Sequence, residues 1–348
     1  MSSLTHATAL LVLGAGLFPA FTSAAPPPLG GEPFAALSNE ECWQRLPPTI
    51  SGGSQRLPNW ARLTVRSLPR TTAAMLNLDW LQRTRNPLGP VLRAKMRWVA
   101  ADANRCAYAQ ATAEADLRRA GLGDAEIENL KAGPDLWPAG ELAALEFARR
   151  VTLDASSVTD AEVAELRQSY GDEKVVAMVL LLAYANFQDR LLLTLNVPLE
   201  DGGPMPPVEV RFARDAKAPS VPARARPEDL ARDAAGADGS DVPTVVDDPE
   251  WGAVKFEILQ TNLDSQRANN GRIPVPSFGE VLKKLPDDIP RPEKPVQIRW
   301  SLVCMGYQPE LAAAWSACTR NFRDEAQQDR VFEESLFWVV TRTIHCFY

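Results

Sequence analysis

Residues 69–108 read PRTTAAMLNLDWLQRTRNPLGPVLRAKMRWVAADANRCAY, and residues 309–348 read PELAAAWSACTRNFRDEAQQDRVFEESLFWVVTRTIHCFY. Aligned without a gap, the stretches share 9 of 40 residues, where ordinary composition would give about three by chance. The shared pairs are Pro69/Pro309, Ala73/Ala313, Ala74/Ala314, Arg83/Arg323, Val91/Val331, Trp98/Trp338, Val99/Val339, Cys106/Cys346 and Tyr108/Tyr348. A repeat of this length indicates two copies of a domain rather than an array of short units.

The first stretch and the residues after it carry apolar residues at helical spacing, with Pro and Gly at the predicted helix ends. The expected helices run from about Thr71 to Asn86-Pro87, over 91–103, from Cys106 to Gly121, over 141–151 and over 172–196. Thr159 and Glu162 have the spacing of a capping box. The last helix is apolar on nearly every face, which predicts that it is the most buried. No stretch alternates apolar and polar residues with period two, so the predicted class is all-α.

A short motif in the second stretch points to chemistry. Glu334 precedes Cys346-Phe347-Tyr348 by twelve residues. This spacing resembles the core of the alkylhydroperoxidase D/carboxymuconolactone decarboxylase-like family, E-x11-C-x-Y-C-x3-H. The resemblance covers about 69–198 and again 309–348, and it implies two copies of the family's helical bundle. In that family two cysteines cycle between dithiol and disulfide while reducing a peroxide, and a related branch acts on a lactone acid.

The resemblance implies that Cys346 and Glu334 are catalytic residues of a thiol-dependent, peroxiredoxin-type peroxidase. A cysteine in the first turn of a helix has its pKa lowered by the helix dipole, and a glutamate within reach can accept the thiol proton. A solvated helix residue is the alternative interpretation of Glu334. His345 does not occupy the family's histidine position and is given no role. The resemblance implies no cofactor and no metal.

The first copy departs from the motif at three of its four functional positions. Cys106 matches, but Ala94, Ala109 and Ala113 stand where the family has its glutamate, second cysteine and histidine. Cys106 is therefore a possible redox residue in a degenerate site, and a structural cysteine is the favoured interpretation. Tyr108 is interpreted as a packing residue. The first copy is predicted to be a scaffold.

Composition divides the chain into successive segments. The predicted segments are a signal peptide (1–25), a Pro/Gly-rich extended lead-in (26–66), the first domain (67–200), a Pro/Ala/Asp-rich linker (201–250) and the second domain (251–348). The signal peptide predicts export to the periplasm or secretion, and an uncleaved N-terminal membrane anchor is the alternative. Because the second domain stops within its own motif, the sequence is predicted to be a fragment, inactive or nearly so by itself.

The charge balance limits the kinds of partner. With 37 basic and 44 acidic residues the net charge is -7, which argues against a nucleic-acid partner, since such proteins carry a basic stripe. One local basic run is interpreted as a solvated helix face: Arg83, Arg85, Arg93, Lys95, Arg97 and Arg105. Away from the N-terminus, no long apolar stretch lacks charges, so no stable membrane span is expected after signal cleavage.

The five cysteines leave at least one thiol free or paired outside the chain, because their number is odd. Cys304 and Cys318 have no counterparts in the first copy, and a core or disulfide-bonded role is expected for both. Cys42 lies in the lead-in and could pair with any of the others. The pairing is left open by the sequence.

Three classes of function compete. A thiol peroxidase would need a peroxide or other small-molecule substrate and a thiol or disulfide reductant. A non-catalytic exported module, with degenerate sites kept for helical assembly or binding, is the alternative from another class. Covalent haem attachment ranks last, because no Cys-x-x-Cys-His is present. Family members assemble into trimers or hexamers, so the resemblance also implies a homo-oligomer.

Overall fold

The computed structural model describes residues 35–213, 255–268, 271–287, 289, 291 and 294–344. Helices dominate this part of the chain, which confirms the all-α class. The helices are α1 (Asn39–Arg45), α2 (Asn59–Thr64), α3 (Pro69–Thr84), α4 (Pro90–Ala103), α5 (Ala107–Arg119), α6 (Asp124–Ala132), α7 (Leu142–Asp154), α8 (Asp160–Thr194), α9 (Phe256–Ala268), α10 (Phe278–Lys284), α11 (Arg299–Tyr307), α12 (Pro309–Ala326) and α13 (Arg330–Thr343). Single 3-10 turns lie at Pro134–Leu136 and Ala155–Ser157, and the short strands are β1 (Thr49–Ser51) and β2 (Arg211–Phe212).

Helix ends follow the local signals of the sequence. Helices α3 and α4 each begin with a proline at the first position, where the missing N–H costs nothing. The predicted capping box at the start of α8 is present. Its Thr159 hydroxyl accepts from Glu162 N at 3.3 Å, and the Glu162 carboxylate accepts from Thr159 N at 2.8 Å.

Helix α8 is broken once, at Gly171, whose backbone has φ 76 and ψ 161. This is a region of backbone space that essentially only glycine enters, so the chain restarts as a second helical segment at residue 172, where the sequence predicts it. The length and composition of α8 would suit a membrane span, but 61% of its most apolar window is buried within the fold. Burial on this scale is typical of a core helix.

Replacing Gly171 with alanine is expected to destabilise the protein by about 1–3 kcal/mol, since the side chain would be held at a positive φ. No atom lies within 4 Å of the added Cβ, so the effect is one of backbone strain and not of crowding. Gly140→Ala is the matched control, because that site has the same free space without the positive φ. Urea unfolding of both variants measures the difference, and equal stabilities would contradict the strain argument.

Two apolar cores share the long helix α8. In the first core α4 packs against α5, α7 and α8, and α7 packs against α8. Its fully buried members include Met96, Leu117, Ile127, Leu145, Leu166, Met178, Leu181 and Leu182. The second core joins α1, α2, α3, the C-terminal part of α8 and α12. A smaller cluster holds α10 against α11.

Helix α12 packs antiparallel against α3, and it does so more extensively than any other pair of elements in the described chain. Glu325, near the end of α12, accepts from Arg70 N at 2.7 Å, from Thr71 N at 2.8 Å and from the Thr71 hydroxyl at 2.6 Å. A carboxylate at this end of α3 satisfies N–H groups that have no partner within the helix. Elements of the two predicted domains therefore pack directly on each other.

The segment predicted as an extended lead-in, 26–66, differs from that expectation in its described part. It contains α1, β1 and α2, because Ser38 and Glu41 form a capping box and Trp60 is buried in the second core. Proline and glycine act here as turn residues, with Gly52 and Gly53 at positive φ.

The start of the predicted linker is also structured. Residues 197–212, called the strap below, run back over the N-terminal segment and end in β2, which pairs antiparallel with β1. Four strap carbonyls accept hydrogen bonds from side chains of that segment and of α3: Pro198 from Asn59, Asp201 from Arg56, Met205 from Arg83 and Glu209 from Gln55. The strap is structured because Val208 and Val210 are buried. Residues 214–250 of the predicted linker, and the predicted signal peptide, lie outside the described residues.

Candidate functional site

The predicted catalytic residues fall in different environments. Cys346 and His345 lie outside the described residues, so the pairing of Glu334 with Cys346 stays a prediction. Glu334 is exposed on α13. Cys106 is 1% exposed and forms the N-cap of α5.

Helix α13 carries an apolar surface that its counterpart in the first repeat does not expose. Trp98 and Val99 of α4 are buried, whereas the matching Trp338 and Val339 are exposed. Leu336 and Val340 are exposed in the same way. The second helices of the two repeat stretches, α4 and α13, therefore lie in different environments: the matching apolar residues are buried in α4 and exposed in α13.

The Cys106 thiol is poorly suited to redox chemistry. Burial and the neighbouring Asp189 carboxylate raise its pKa to about 11, although the Ala109 N–H and Arg97 act in the opposite direction. A helix N-terminus alone would lower the pKa, so desolvation outweighs the dipole here. No cysteine stands at the next turn, where Ala109 is buried.

The other described cysteines are also free thiols. Cys42, Cys304 and Cys318 form no disulfide bond with one another or with Cys106. Burial raises the pKa of Cys42 and Cys304 to about 11 and that of Cys318 to about 12. Cys42 and Cys318 are members of the packed interior, and Cys304 is half-buried.

A cavity of about 40 Å³, with both polar and apolar lining residues, lies among α3, α4, α5, α8 and the strap. Ala109 and Ala113, at the positions of the family's second cysteine and histidine, are part of its wall. Its polar lining consists of Asp79, Gln82, Arg83, Arg93, Arg97, Tyr108, Thr112, Asp116, Tyr184 and Gln188. A water molecule needs roughly 10–15 Å³ of such volume, so the cavity has room for a molecule of a few heavy atoms.

Asp116 joins three helices at one wall of the cavity. Its carboxylate accepts from Arg83 of α3 at 2.8 and 3.0 Å and from Arg93 of α4 at 2.9 Å. Arg119, on its own helix α5, donates to it as well. Although burial disfavours the charged form, the bonds and charge of Arg83, with Arg93 and Arg119, hold the pKa of Asp116 well below its usual range.

Asp79, a second carboxylate of the lining, is linked to Asp116 through Arg83. It accepts from Arg83 Nη1 at 3.2 Å and from the Tyr184 hydroxyl at 3.1 Å, and Gln188 Nε2 donates to that hydroxyl at 3.0 Å. Burial and the Asp79 charge raise the pKa of Tyr184 well above its ordinary value. The tyrosine is therefore a neutral hydrogen-bond donor.

A further ion pair, between Arg97 and Asp189, joins α4 and α8. Asp189 is 0% exposed and accepts from Arg97 and, at 2.9 Å, from Asn104 Nδ2. Arg97 also donates to Gln188 Oε1 at 3.2 Å. Although burial disfavours the Arg97 charge, the Asp189 carboxylate raises the pKa of this guanidinium.

The strap covers the cavity near Tyr108. Glu200 Oε1 accepts from the Tyr108 hydroxyl and from Asn59 N at 2.8 Å. Two buried atoms of this region have no hydrogen-bond partner in the structure: Arg93 Nε and Glu200 Oε2. Unpaired buried polar atoms are rare and costly in folded proteins.

The prediction that the basic run forms a solvated helix face is wrong for most of its residues. Arg93, Lys95 and Arg97 are buried, and Arg83 is nearly so; only Arg85 and Arg105 are exposed. The fold brings carboxylates from distant positions in the sequence into contact with these basic side chains. This pairing allows their burial, since charged side chains are rarely buried unless they are paired. The sequence contained one signal that these two residues belong together: Arg93 and Arg97 lie one turn apart and so share a face of α4.

No group of three or more His, Cys, Asp or Glu side chains within the described ranges is placed to hold a metal ion. In comparisons with known proteins, no family model, no curated protein and no solved structure matches the chain. The resemblance to the alkylhydroperoxidase D-like family therefore rests on the repeat and the Glu-Cys-x-Tyr spacing.

Proposed function

We propose that the first helical unit is a non-catalytic module that binds a small molecule in the cavity lined by Asp79, Arg93 and Asp116. The observation that carries this proposal is the cavity itself, walled by paired charges, at the place where the family resemblance puts a redox site. Ligand sites combine a concave shape with a few converging polar groups. The buried, protonated Cys106 and the alanines at the other motif positions speak against peroxide reduction in this unit.

We further propose that the chain contains two copies of one helical unit, the second beginning near α12. The support is that one helix in each copy begins in the same way. Helices α3 and α12 both start with proline, and their N-cap residues, Leu68 and Gln308, have φ/ψ of -134/57 and -137/63. Redox chemistry at Cys346 and Glu334 stays a prediction for this second copy.

Hydrogen peroxide should leave Cys106 unmodified in the native protein. Burial raises the pKa of Cys106 to about 11, so the thiol is almost entirely protonated at neutral pH. Digestion and mass spectrometry after peroxide treatment measure the oxidation of each cysteine, and the same treatment in denaturant is the control that shows full reactivity. Rapid formation of sulfenic acid at native Cys106 would instead support a peroxidase.

Binding is tested separately, with a panel of neutral and charged molecules of about four to six heavy atoms, by isothermal titration. Ala113→Val is the matched variant, since it adds two methyl groups to the cavity wall. Molecules that bind the native protein should bind this variant more weakly. If no member of the panel binds, the proposal fails.

A further inference from the structure

We propose that the cavity ligand is a small carboxylate anion about the size of acetate, held by the Arg93 guanidinium; this rests on the binding function proposed above. Arg93 has 4% of its side chain exposed and lines the cavity. Its Nη2 donates to Asp116, while its Nε has no acceptor. A carboxylate placed in the cavity would supply that acceptor.

The geometry of a guanidinium favours this class of ligand. Its N–H groups form a planar fork that matches the two oxygens of a carboxylate, and charged pairs of this kind are stronger than neutral hydrogen bonds. An amide or alcohol could accept from Nε as well, but without the charge. The preference for an anion over a neutral molecule of equal shape is therefore the property to measure.

The carboxylates already present do not oppose a bound anion. The lining holds Arg83, Arg93 and Arg97 against Asp79 and Asp116. Three further charged side chains are hydrogen-bonded to lining residues: Arg119 to Asp116, Asp189 to Arg97 and Glu200 to Tyr108. Together these are four arginines and four carboxylates, so the surroundings carry no net negative charge.

The positive charge that nearby carboxylates balance least is that of Arg93. Both Asp116 oxygens are shared among three arginines, and Asp79 is committed to Arg83 and Tyr184. Burial lowers the pKa of Arg93 even though Asp116 attracts its charge. Its charge is thus undercompensated, and an anion beside it would restore the balance.

The shape of the cavity limits the size of the anion. A volume of about 40 Å³ admits only a few heavy atoms. Most of the lining surface is apolar, and it suits the short alkyl group of a carboxylate better than the four oxygens of a phosphate; the apolar lining residues are Pro58, Trp60, Ala109, Ala113, Leu181, Met205, Pro206 and Val208. A two-carbon carboxylate fits these limits better than a tetrahedral phosphate.

The test is titration of the full chain with sodium acetate and, separately, with acetamide, at constant ionic strength set by sodium chloride. The two probes have the same shape and differ in charge. We expect saturable one-to-one binding of acetate, at least about tenfold tighter than acetamide. Arg93→Met should weaken acetate binding about ten- to a hundredfold, the range of a charged hydrogen bond. Arg119→Met is the matched control, because Arg119 also bonds Asp116 but does not line the cavity.

The outcomes separate the two proposals. Equal binding of acetate and acetamide would keep the binding module and overturn the anion preference. Binding of neither probe would overturn the carboxylate proposal, while the wider panel decides on the module itself. Equal losses in both arginine variants would reject Arg93 as the anion-binding residue. If Arg93→Met fails to fold, the displacement of the Arg93 Nε–H resonance by acetate in the native protein decides instead.

Discussion

Asp189→Ala is expected to destabilise the protein by about 3–5 kcal/mol, because it leaves the buried Arg97 guanidinium without its carboxylate. Asn104 Nδ2 would lose one of its two acceptors at the same time and keep the other, Asn186 Oδ1. Such a loss is a large part of the total stability of an ordinary domain. Chemical denaturation at neutral pH measures it directly.

The matched control lies on the same helix. Asp172 pairs with Arg167 at a partly exposed site, so Asp172→Ala should cost less than about 1 kcal/mol. A double variant, Arg97→Met with Asp189→Leu, should recover much of the loss, since it removes both charges together. If the single Asp189 variant were as mild as its control, the Arg97 charge would have to be solvated in the native protein.

Loss of stability in acid should depend strongly on Asp116. Its folded pKa lies below its ordinary value of 3.8, so the unfolded chain takes up a proton first as the pH falls. The stabilisation by the ionised carboxylate is therefore complete above about pH 4 and is lost as the pH drops from there towards the folded pKa. Asp116→Asn removes this contribution at every pH, together with one of the two acceptor oxygens that join α3, α4 and α5.

Unfolding free energies measured from pH 6 down to pH 2 test this expectation. Native protein should lose stability more steeply below pH 4 than Asp116→Asn does, by up to about 1.4 kcal/mol per pH unit, the effect of one proton. Asp124→Asn is the control, because Asp124 forms only an exposed pair with Arg118. Parallel curves for native protein and Asp116→Asn would mean that Asp116 is not held ionised by its arginines.

The sequence predicts helices well where the signal is local. The capping box at Thr159 and Glu162, the helix end before Asn86-Pro87 and the break ahead of residue 172 all depend on residues within one or two turns. These features specify backbone conformation directly. The all-α class follows from them.

The cavity was not predicted, because its contacts join distant positions. Asp116 accepts from Arg83, 33 residues away, and Glu200 accepts from Asn59, 141 residues away. Helical spacing shows which face of a helix is apolar, but it cannot show that a carboxylate on another helix will neutralise a buried arginine. For the same reason Arg93 and Arg97 resembled a solvated face.

The strap that covers the cavity is anchored by its main chain, and this has an evolutionary consequence. Because four of its carbonyl groups receive hydrogen bonds, its side chains other than the buried ones, among them Glu200, Val208 and Val210, are free to change without releasing it. Met205, Pro206 and Val208 line the cavity from the strap. Substitution at Met205 or Pro206, which are not fully buried, would reshape the binding space while the arginines and aspartates stay in place. Related proteins could thus diverge in ligand preference through the strap alone.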